Sequence, residues 1–244
     1  MEGRKLLWEF MQQNKIQILC TRPLPSSLIE EAALSGIEIE EQPFIETESI
    51  LSVEVQQEIE LVSTEVATVV FTSMNAVDAV TIFLDGHQPE WTIYSIGTAT
   101  ARLVKEYFGE ERIAGTANDA AALAELIAED RFTDEVVFFC GDQRRDELPD
   151  ILKQHDIEVN EIVVYQTIEV PHKINKAYHG ILFFSPSAVR SFFKINKLQE
   201  KTIAFAIGNT TANEIKKLSN NKIIISDEPG KENLVQKMME YFNP

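Results

Sequence analysis

Four short turns, each following an apolar run, carry the residues best suited to bind an anionic ligand. Two are rich in hydroxyl groups, Thr72-Ser73-Met74-Asn75 and Ser185-Pro186-Ser187, and two begin with glycine, at Gly97 and Gly208. Glycine lets the backbone approach a ligand, and free N–H groups at a helix start favour an anion. Each turn alone would serve as an N-cap, but four turns repeated in pairs favour an anion site. The candidate binding residues are Thr72, Ser73, Asn75, Gly97, Thr98, Thr100, Ala101, Ser185, Ser187, Ala188, Gly208, Thr210 and Thr211.

Arginines after two further apolar runs are candidate ligand clamps. Arg22 follows the run Ile16 to Cys20, and Arg144 and Arg145 follow the run Val136 to Cys140. Arginine pairs bidentately with carboxylates, which favours binding of an acidic ligand. The alternative is a solvated turn in which the arginines pair with neighbouring acidic residues such as Asp146 or Glu147. The candidates from these turns are Arg22, Gly141, Arg144 and Arg145.

The sequence shows no motif for nucleotide or metal binding, and it leaves the role of one tyrosine undecided. No G-x-G-x-x-G or G-x-x-x-x-G-K-[ST] loop follows a strand, which disfavours a nucleotide ligand. The four histidines form no metal-binding spacing, and the two cysteines, Cys20 and Cys140, are best interpreted as buried structural thiols. Tyr165 lies in an extended stretch, where it could pack against neighbours or act as a proton donor.

Composition narrows the class of protein. The chain has 244 residues and a formal net charge of -17, which disfavours a nucleic-acid partner because phosphate binding relies on a basic surface. No stretch is apolar enough to span a membrane, and Met1 to Lys15 carries acidic residues and no long apolar run, so we expect no secretory signal. With few cysteines, these features predict a cytoplasmic protein. The negative charge conflicts at first sight with an anionic substrate.

The chain contains an internal repeat, which predicts the architecture. The segment Val69 to Val77 (VVFTSMNAV) matches Ile181 to Val189 (ILFFSPSAV). Tyr94 to Ala101 (YSIGTATA) matches Phe205 to Ala212 (FAIGNTTA) at nearly the same offset. Each unit is an apolar run, a small or polar turn and an amphipathic helix, the pattern of parallel α/β sheets. We therefore expect two doubly wound parallel-sheet α/β domains, each flavodoxin-like in size.

Two extended stretches, Ile39 to Ile50 and Val159 to Val170, look able to run between the domains as linker strands. In that case one domain holds both termini and the other is an insertion. The predicted bounds are residues 1–42 plus 168–244 for the first domain, 46–165 for the second, and 40–48 and 162–170 for the linker strands. Two contiguous halves split near Arg131 are the plainer interpretation of the repeat alone.

In their order and spacing, these motifs resemble the uroporphyrinogen-III synthase family over nearly the whole chain. Met74 departs from the family pattern, which often has proline there. The matching motifs are Thr21-Arg22-Pro23, Phe71-Thr72-Ser73 with Asn75-Ala76-Val77, Ile96-Gly97 with Thr100-Ala101, Cys140-Gly141 with Arg144-Arg145, Val164-Tyr165-Gln166-Thr167, Phe184-Ser185-Pro186-Ser187-Ala188-Val189, and Ile207-Gly208 with Thr210-Thr211-Ala212.

The resemblance implies two flavodoxin-like lobes joined by a two-stranded linker, with the active site in the cleft between them. It implies a linear tetrapyrrole substrate, hydroxymethylbilane, which is closed to uroporphyrinogen III with loss of water and inversion of ring D, without metal or organic cofactor. By its motif, Tyr165 is the candidate acid that assists loss of the hydroxyl. Backbone N–H groups in the turns would bind the substrate carboxylates, which resolves the charge conflict. We expect a monomer; the rival interpretation is a non-enzymatic two-lobed protein that binds a small anion.

Overall fold

The architecture was analysed in a computed structural model. It describes residues 15–130, 133–228 and 230–243. The helix or irregular start that the sequence allows at Gly3 to Asn14 lies outside the described residues. Arg131, where the contiguous alternative puts its boundary, also lies outside them.

Strands and helices mostly alternate along the described chain. The strands are β1 Ile16–Cys20, β2 Ile37–Glu41, β3 Ile45–Ser49, β4 Ala67–Phe71, β5 Trp91–Ile96, β6 Ile113–Ala117, β7 Glu135–Gly141, β8 Glu158–Glu169, β9 Gly180–Phe183, β10 Ile203–Ala206 and β11 Ile223–Ile225. The α-helices are α1 Ser26–Leu34, α2 Val53–Ser63, α3 Met74–Leu84, α4 Gly97–Phe108, α5 Ala120–Ala128, α6 Glu147–Gln154, α7 Pro186–Ile195, α8 Asn209–Leu218 and α9 Lys231–Phe242. A short 3₁₀ turn, Glu110–Arg112, precedes β6.

The chain divides into two compact units. The first unit runs to Glu46 and resumes at Ile168, and the second unit is Thr47–Thr167. The chain passes from one unit to the other twice, within β3 and within β8.

The sheet of the first unit has five strands in the order β11-β10-β9-β1-β2, and every neighbouring pair is parallel. Within the unit, this places the second, first, third, fourth and fifth strands side by side, which is the flavodoxin order. The central strands are buried because helices cover both faces of such a sheet. Leu19, Phe183 and Phe205 are fully excluded from solvent and belong to its two hydrophobic clusters.

The sheet of the second unit has six strands in the order β3-β8-β7-β4-β5-β6. The five strands from β8 to β6 are parallel. The sixth, β3, pairs with β8, and the flanking Ile50 N–H donates to the Val164 carbonyl at 2.9 Å. Phe71, Trp91 and Phe139 fill the core of this unit with mutually packed rings.

The sequence repeat explains how two different chain orders give one arrangement of strands. The repeat matches β4 with β9 and β5 with β10, and the weaker similarity of the two cysteine-ended runs matches β7 with β1. These matches align β7-β4-β5 with β1-β9-β10, and the flanking strands β8 and β6 then correspond in position to β2 and β11 of the other sheet. The two units are thus built alike, with the chain entering them at different strands. The predicted class, two doubly wound parallel α/β domains, is confirmed.

Candidate functional site

The predicted turns follow three neighbouring strands in each unit. In the second sheet these strands are β7, β4 and β5, and in the first they are β1, β9 and β10. The chain leaves β4 towards β5 on one side and leaves β7 towards β8 on the other, so the strand order reverses between β4 and β7. It reverses in the same way between β9 and β1. Such reversal points, beyond the carboxyl ends of the strands, are where doubly wound sheets bind ligands.

The two serine turns are capped helix starts. The Ser73 hydroxyl accepts the Asn75 N–H at 3.2 Å, and the Ser185 hydroxyl accepts the Ala188 N–H at 3.1 Å. These bonds satisfy one free donor at the start of α3 and one at the start of α7. The capping interpretation therefore holds for both serines. Ser187 is mostly buried, while Thr72 is partly exposed beside its turn.

The two glycine turns differ, because no side chain caps the helices that follow them. Helix α4 begins at Gly97, and Gly208 stands at the N-cap of α8; neither start has a side-chain cap bond. The first N–H groups of a helix have no partner within it, and the helix dipole adds partial positive charge there. The helices after β5 and β10, which are equivalent strands of the two units, thus both start without a side-chain cap, an arrangement suited to bind a carboxylate.

Side chains of the glycine turns divide into two sets. Thr98 and Thr210 are exposed beside the uncapped N–H groups, so their hydroxyls are accessible to a ligand. Thr100 and Thr211, which the motif also suggested, are buried inside their units at 5% and 1% exposure. Ala188 is similarly buried and Ala101 is half-buried. Of these four threonines, only Thr98 and Thr210 are therefore accessible to a ligand.

Arg22 lies at the end of β1, where its guanidinium stacks over the Phe184 ring with 5.7 Å to the centroid. Burial against these neighbours lowers its pKa, although the side chain still reaches solvent. Lys231, the first residue of α9, was not singled out from the sequence. Burial and the nearby charge of Arg22 lower the pKa of Lys231. Within the described part of the chain, neither cation forms an ion pair with a carboxylate, so both are available to an anionic ligand.

Arg144 is already committed to acidic neighbours. Its guanidinium bonds to Glu161 on β8 and to Asp146 before α6, and these hydrogen bonds raise its pKa. The ion-pair alternative therefore describes Arg144, with Glu161 as a partner that the local sequence did not suggest. Arg145 is exposed on the same turn.

Tyr165 lies against the end of β7. Gly141 is its register partner, and a Cβ atom at Gly141 would stand 2.5 Å from Cε2 and 2.7 Å from the hydroxyl oxygen of Tyr165. The ring thus covers the glycine at the strand end where the turn begins. The backbone holds this contact, since the Asp142 N–H donates to the Tyr165 carbonyl at 3.1 Å. The half-buried phenol is therefore positioned at the carboxyl edge of its sheet.

The cysteines match the interpretation as structural thiols. Both are free and buried, and burial raises the pKa of Cys20 to about 12 and that of Cys140 to about 11. The Cys20 thiol donates to the Arg22 carbonyl at 2.9 Å. A nucleophile needs its thiolate, which these environments suppress. Among the described residues, no group of His, Cys, Asp or Glu side chains could hold a metal ion, and no helix is long and apolar enough to cross a membrane.

These features define a class of protein, a two-unit doubly wound α/β protein with candidate ligand-binding turns at equivalent strand ends in both units. Comparison with known proteins narrows the class. The model of the family described as Uroporphyrinogen-III synthase HemD matches residues 26–236. Because this match spans most of the sequence, the chain belongs to the uroporphyrinogen-III synthase family.

Individual relatives agree with this assignment. The uroporphyrinogen-III synthase of Saccharomyces cerevisiae is 26% identical over 179 residues, which is 62% of this chain and 64% of the yeast protein. The structure is similar to the Helicobacter pylori enzyme, with a TM-score of 0.61, 17% identity and coverage of 93% of this chain and 99% of the other. A Thermus thermophilus uroporphyrinogen III synthase variant gives 0.60 at 14% identity, covering 93% and 98%. The two structures support the fold.

Proposed function

We propose that this protein is a uroporphyrinogen-III synthase that closes hydroxymethylbilane to uroporphyrinogen III. In the closure, water is lost and ring D is inverted, which would make the protein a cyclising hydro-lyase of tetrapyrrole biosynthesis. Membership of the family supports the proposal, as does the similarity to the yeast uroporphyrinogen-III synthase. The observation that carries it is the pair of uncapped helix starts at Gly97 and Gly208, at equivalent strand ends of the two units.

The first task of such an enzyme is to hold a flexible, polyanionic chain. Uncapped N–H groups at the starts of α4 and α8 suit carboxylates, and the hydroxyls of Thr98 and Thr210 add neutral donors beside them. Arg22 and Lys231 add positive charge at the carboxyl edge of the first sheet. Few formal charges are needed, because dipoles and N–H groups already favour anions. A protein of net charge -17 can in this way bind an acidic substrate.

The second task is to release the terminal hydroxyl. The lone pair of the pyrrole nitrogen expels the hydroxyl as its carbon–oxygen bond breaks, and an acid completes the water by donating a proton. We assign this donation to Tyr165, whose hydroxyl lies at the end of β7. A phenol is a weak acid, so it assists departure without being indispensable.

The third task is to direct ring closure. The azafulvene left by water loss is electrophilic, and ring D attacks it through its substituted carbon to give a spiro intermediate. Fragmentation and reclosure then invert the ring. The substrate supplies the electrons, so the protein contributes by holding ring D where this attack is faster than direct closure. We propose that no metal or organic cofactor takes part and that the protein is monomeric and cytoplasmic.

A second candidate function, the binding of a small anion without turnover, would use the same helix starts. Product analysis distinguishes it from the synthase activity. Hydroxymethylbilane is generated in situ, the protein is added, and the porphyrin isomers are separated after oxidation. With the synthase present, hydroxymethylbilane gives isomer III instead of isomer I. If folded protein yields only isomer I, the synthase activity is refuted and the anion-binding function is favoured. In Tyr165→Phe we expect slower formation of isomer III with substrate affinity retained.

A further inference from the structure

A cavity lies in the first unit, at the amino ends of its strands. It has a volume of about 470 Å³ and is bordered by the segment before β9, the last turn of α7 and the segment before β10. Tyr178 precedes β9 and Thr202 precedes β10, whereas the turns of the candidate active site follow the carboxyl ends of the same strands. A volume of this size suits a small organic ligand. A ligand in this cavity would not occupy the substrate turns.

The charge around this cavity is opposite to that of the chain. Four lysines line it, Lys173, Lys176, Lys194 and Lys197, and no aspartate or glutamate does within the described residues. The whole chain has only 22 lysines and arginines against 39 acidic residues, so this concentration of cations is unusual for the protein. A cavity with one sign of charge concentrates ligands of the other sign.

Acidic residues nearby cancel only part of this charge. Lys176 pairs with Glu40 at 2.9 Å and Lys194 pairs with Glu169 at 2.8 Å, both through exposed ammonium groups. An ammonium has three donors, so each lysine retains donors for a ligand. Lys197 forms no ion pair among the described residues.

The floor of the cavity is apolar, with Ile181 and Phe192 buried beneath it and Leu198 partly exposed at its wall. Its rim is cationic. In a small-molecule site, apolar residues bind the body of the ligand and polar groups fix its orientation. This combination fits an amphipathic anion: a compact ring system that carries a carboxylate.

Buried hydrogen bonds hold the walls in place. The Asn196 amide donates to the carbonyls of His172 and Phe192, at 2.7 and 2.9 Å, and its oxygen accepts the Ile174 N–H at 2.8 Å. Asn196 is 6% exposed, so these bonds tie the segment before β9 to the end of α7 inside the protein. The Thr202 hydroxyl fixes the opposite wall by donating to the Tyr178 carbonyl at 2.7 Å. A cavity with preformed walls binds with a smaller entropic cost.

We propose that this cavity is a binding site for an amphipathic organic carboxylate, separate from the candidate active site. The apolar floor receives the ring system, and the ammonium groups of Lys173 and Lys197 pair with the carboxylate. The proposal rests on the geometry of the first unit alone and is independent of the proposed synthase activity.

Calorimetric titration of the full chain with 2-naphthoate tests the proposal, with neutral 2-naphthylmethanol as the matched probe. We expect one saturable site for 2-naphthoate, at least tenfold weaker binding of the alcohol, and weakening of naphthoate binding by added salt. The double variant Lys173→Gln/Lys197→Gln should raise the dissociation constant about tenfold. The control Lys153→Gln/Lys216→Gln removes the same charge from exposed helix positions outside the cavity and should leave it unchanged.

Amide shifts in ¹H–¹⁵N spectra then locate the probe. Shifts confined to Lys194 through Gln199 and the neighbouring strand starts support the site. Shifts centred instead on Gly208 through Thr211 place the carboxylate in the substrate turns and overturn the proposal. Equal affinity for the acid and the alcohol, or equal loss in both double variants, overturns it too. Thermal unfolding of each variant confirms that the comparison is made on folded protein.

Discussion

Substitution of Gly141 by alanine tests the role of Tyr165 without changing the tyrosine. A Cβ atom at Gly141 would stand 2.5 Å from Cε2 of the Tyr165 ring. Carbon atoms in ordinary contact are about 3.5–4.0 Å apart, so the ring must move by about 1 Å. A misplacement of about 1 Å in a catalytic group can cost on the order of 100-fold in rate. We therefore expect Gly141→Ala to lower kcat by about 10- to 100-fold.

Gly115→Ala is a matched control for the cost of crowding. Its Cβ would stand 2.5 Å from a Leu126 methyl group and 3.0 Å from the Tyr94 ring, on β6 of the same unit. Both alanines crowd a side chain, and such overpacking costs about 1–3 kcal/mol of stability. Gly115→Ala should therefore destabilise the protein to a similar degree while kcat stays near the wild-type value.

The assay compares kcat for isomer III in Gly141→Ala, Tyr165→Phe and the double variant. If both single changes act through the phenol, the double variant is no slower than Tyr165→Phe, because the two effects share one group. Wild-type kcat in folded Gly141→Ala would show that the position of the Tyr165 ring does not matter to catalysis. Multiplied losses in the double variant would also contradict the reasoning.

Three further predictions address binding and stability. Gly97→Ala should lower the unfolding free energy by about 1–2 kcal/mol, because Gly97 has φ +76 and alanine disfavours this backbone region. Gly208→Ala should cost little, because Gly208 has φ -176. Equal melting temperatures for the two variants would contradict this prediction. Cys20 and Cys140 should resist iodoacetamide at neutral pH in the folded protein, and rapid alkylation of the folded protein would refute this. Because folding keeps both thiols protonated, the unfolding free energy should also fall as the pH rises above the ordinary thiol pKa of 9.0. Arg22→Gln should raise KM with little change in kcat, and steady-state kinetics showing unchanged KM would exclude Arg22 from substrate binding.

Local pattern was sufficient to predict the fold class and the family. Each unit of apolar run, turn and helix is a short segment, so it can be recognised locally. The repeat places the Ser73 turn and the Ser185 turn at equivalent strand ends, and it does the same for the turns at Gly97 and Gly208. The discontiguous domain bounds and the roles of the site residues stay predictions.

Contacts between distant segments were not visible in the sequence. Glu161, the partner of Arg144, comes from the neighbouring strand β8, and the contact of Tyr165 with Gly141 depends on the register of β7 and β8. Lys231 is near Arg22 because α9, which begins at Lys231, packs against α1, which follows Arg22.

Product analysis under multiple turnover tests the central claim most directly. Hydroxymethylbilane is supplied in large molar excess over the protein, and the amount of isomer III formed per chain is followed with time. The account predicts many equivalents of isomer III per chain, at a rate proportional to protein concentration. Formation of isomer I alone, with at most one equivalent of hydroxymethylbilane retained by each folded chain, would contradict it.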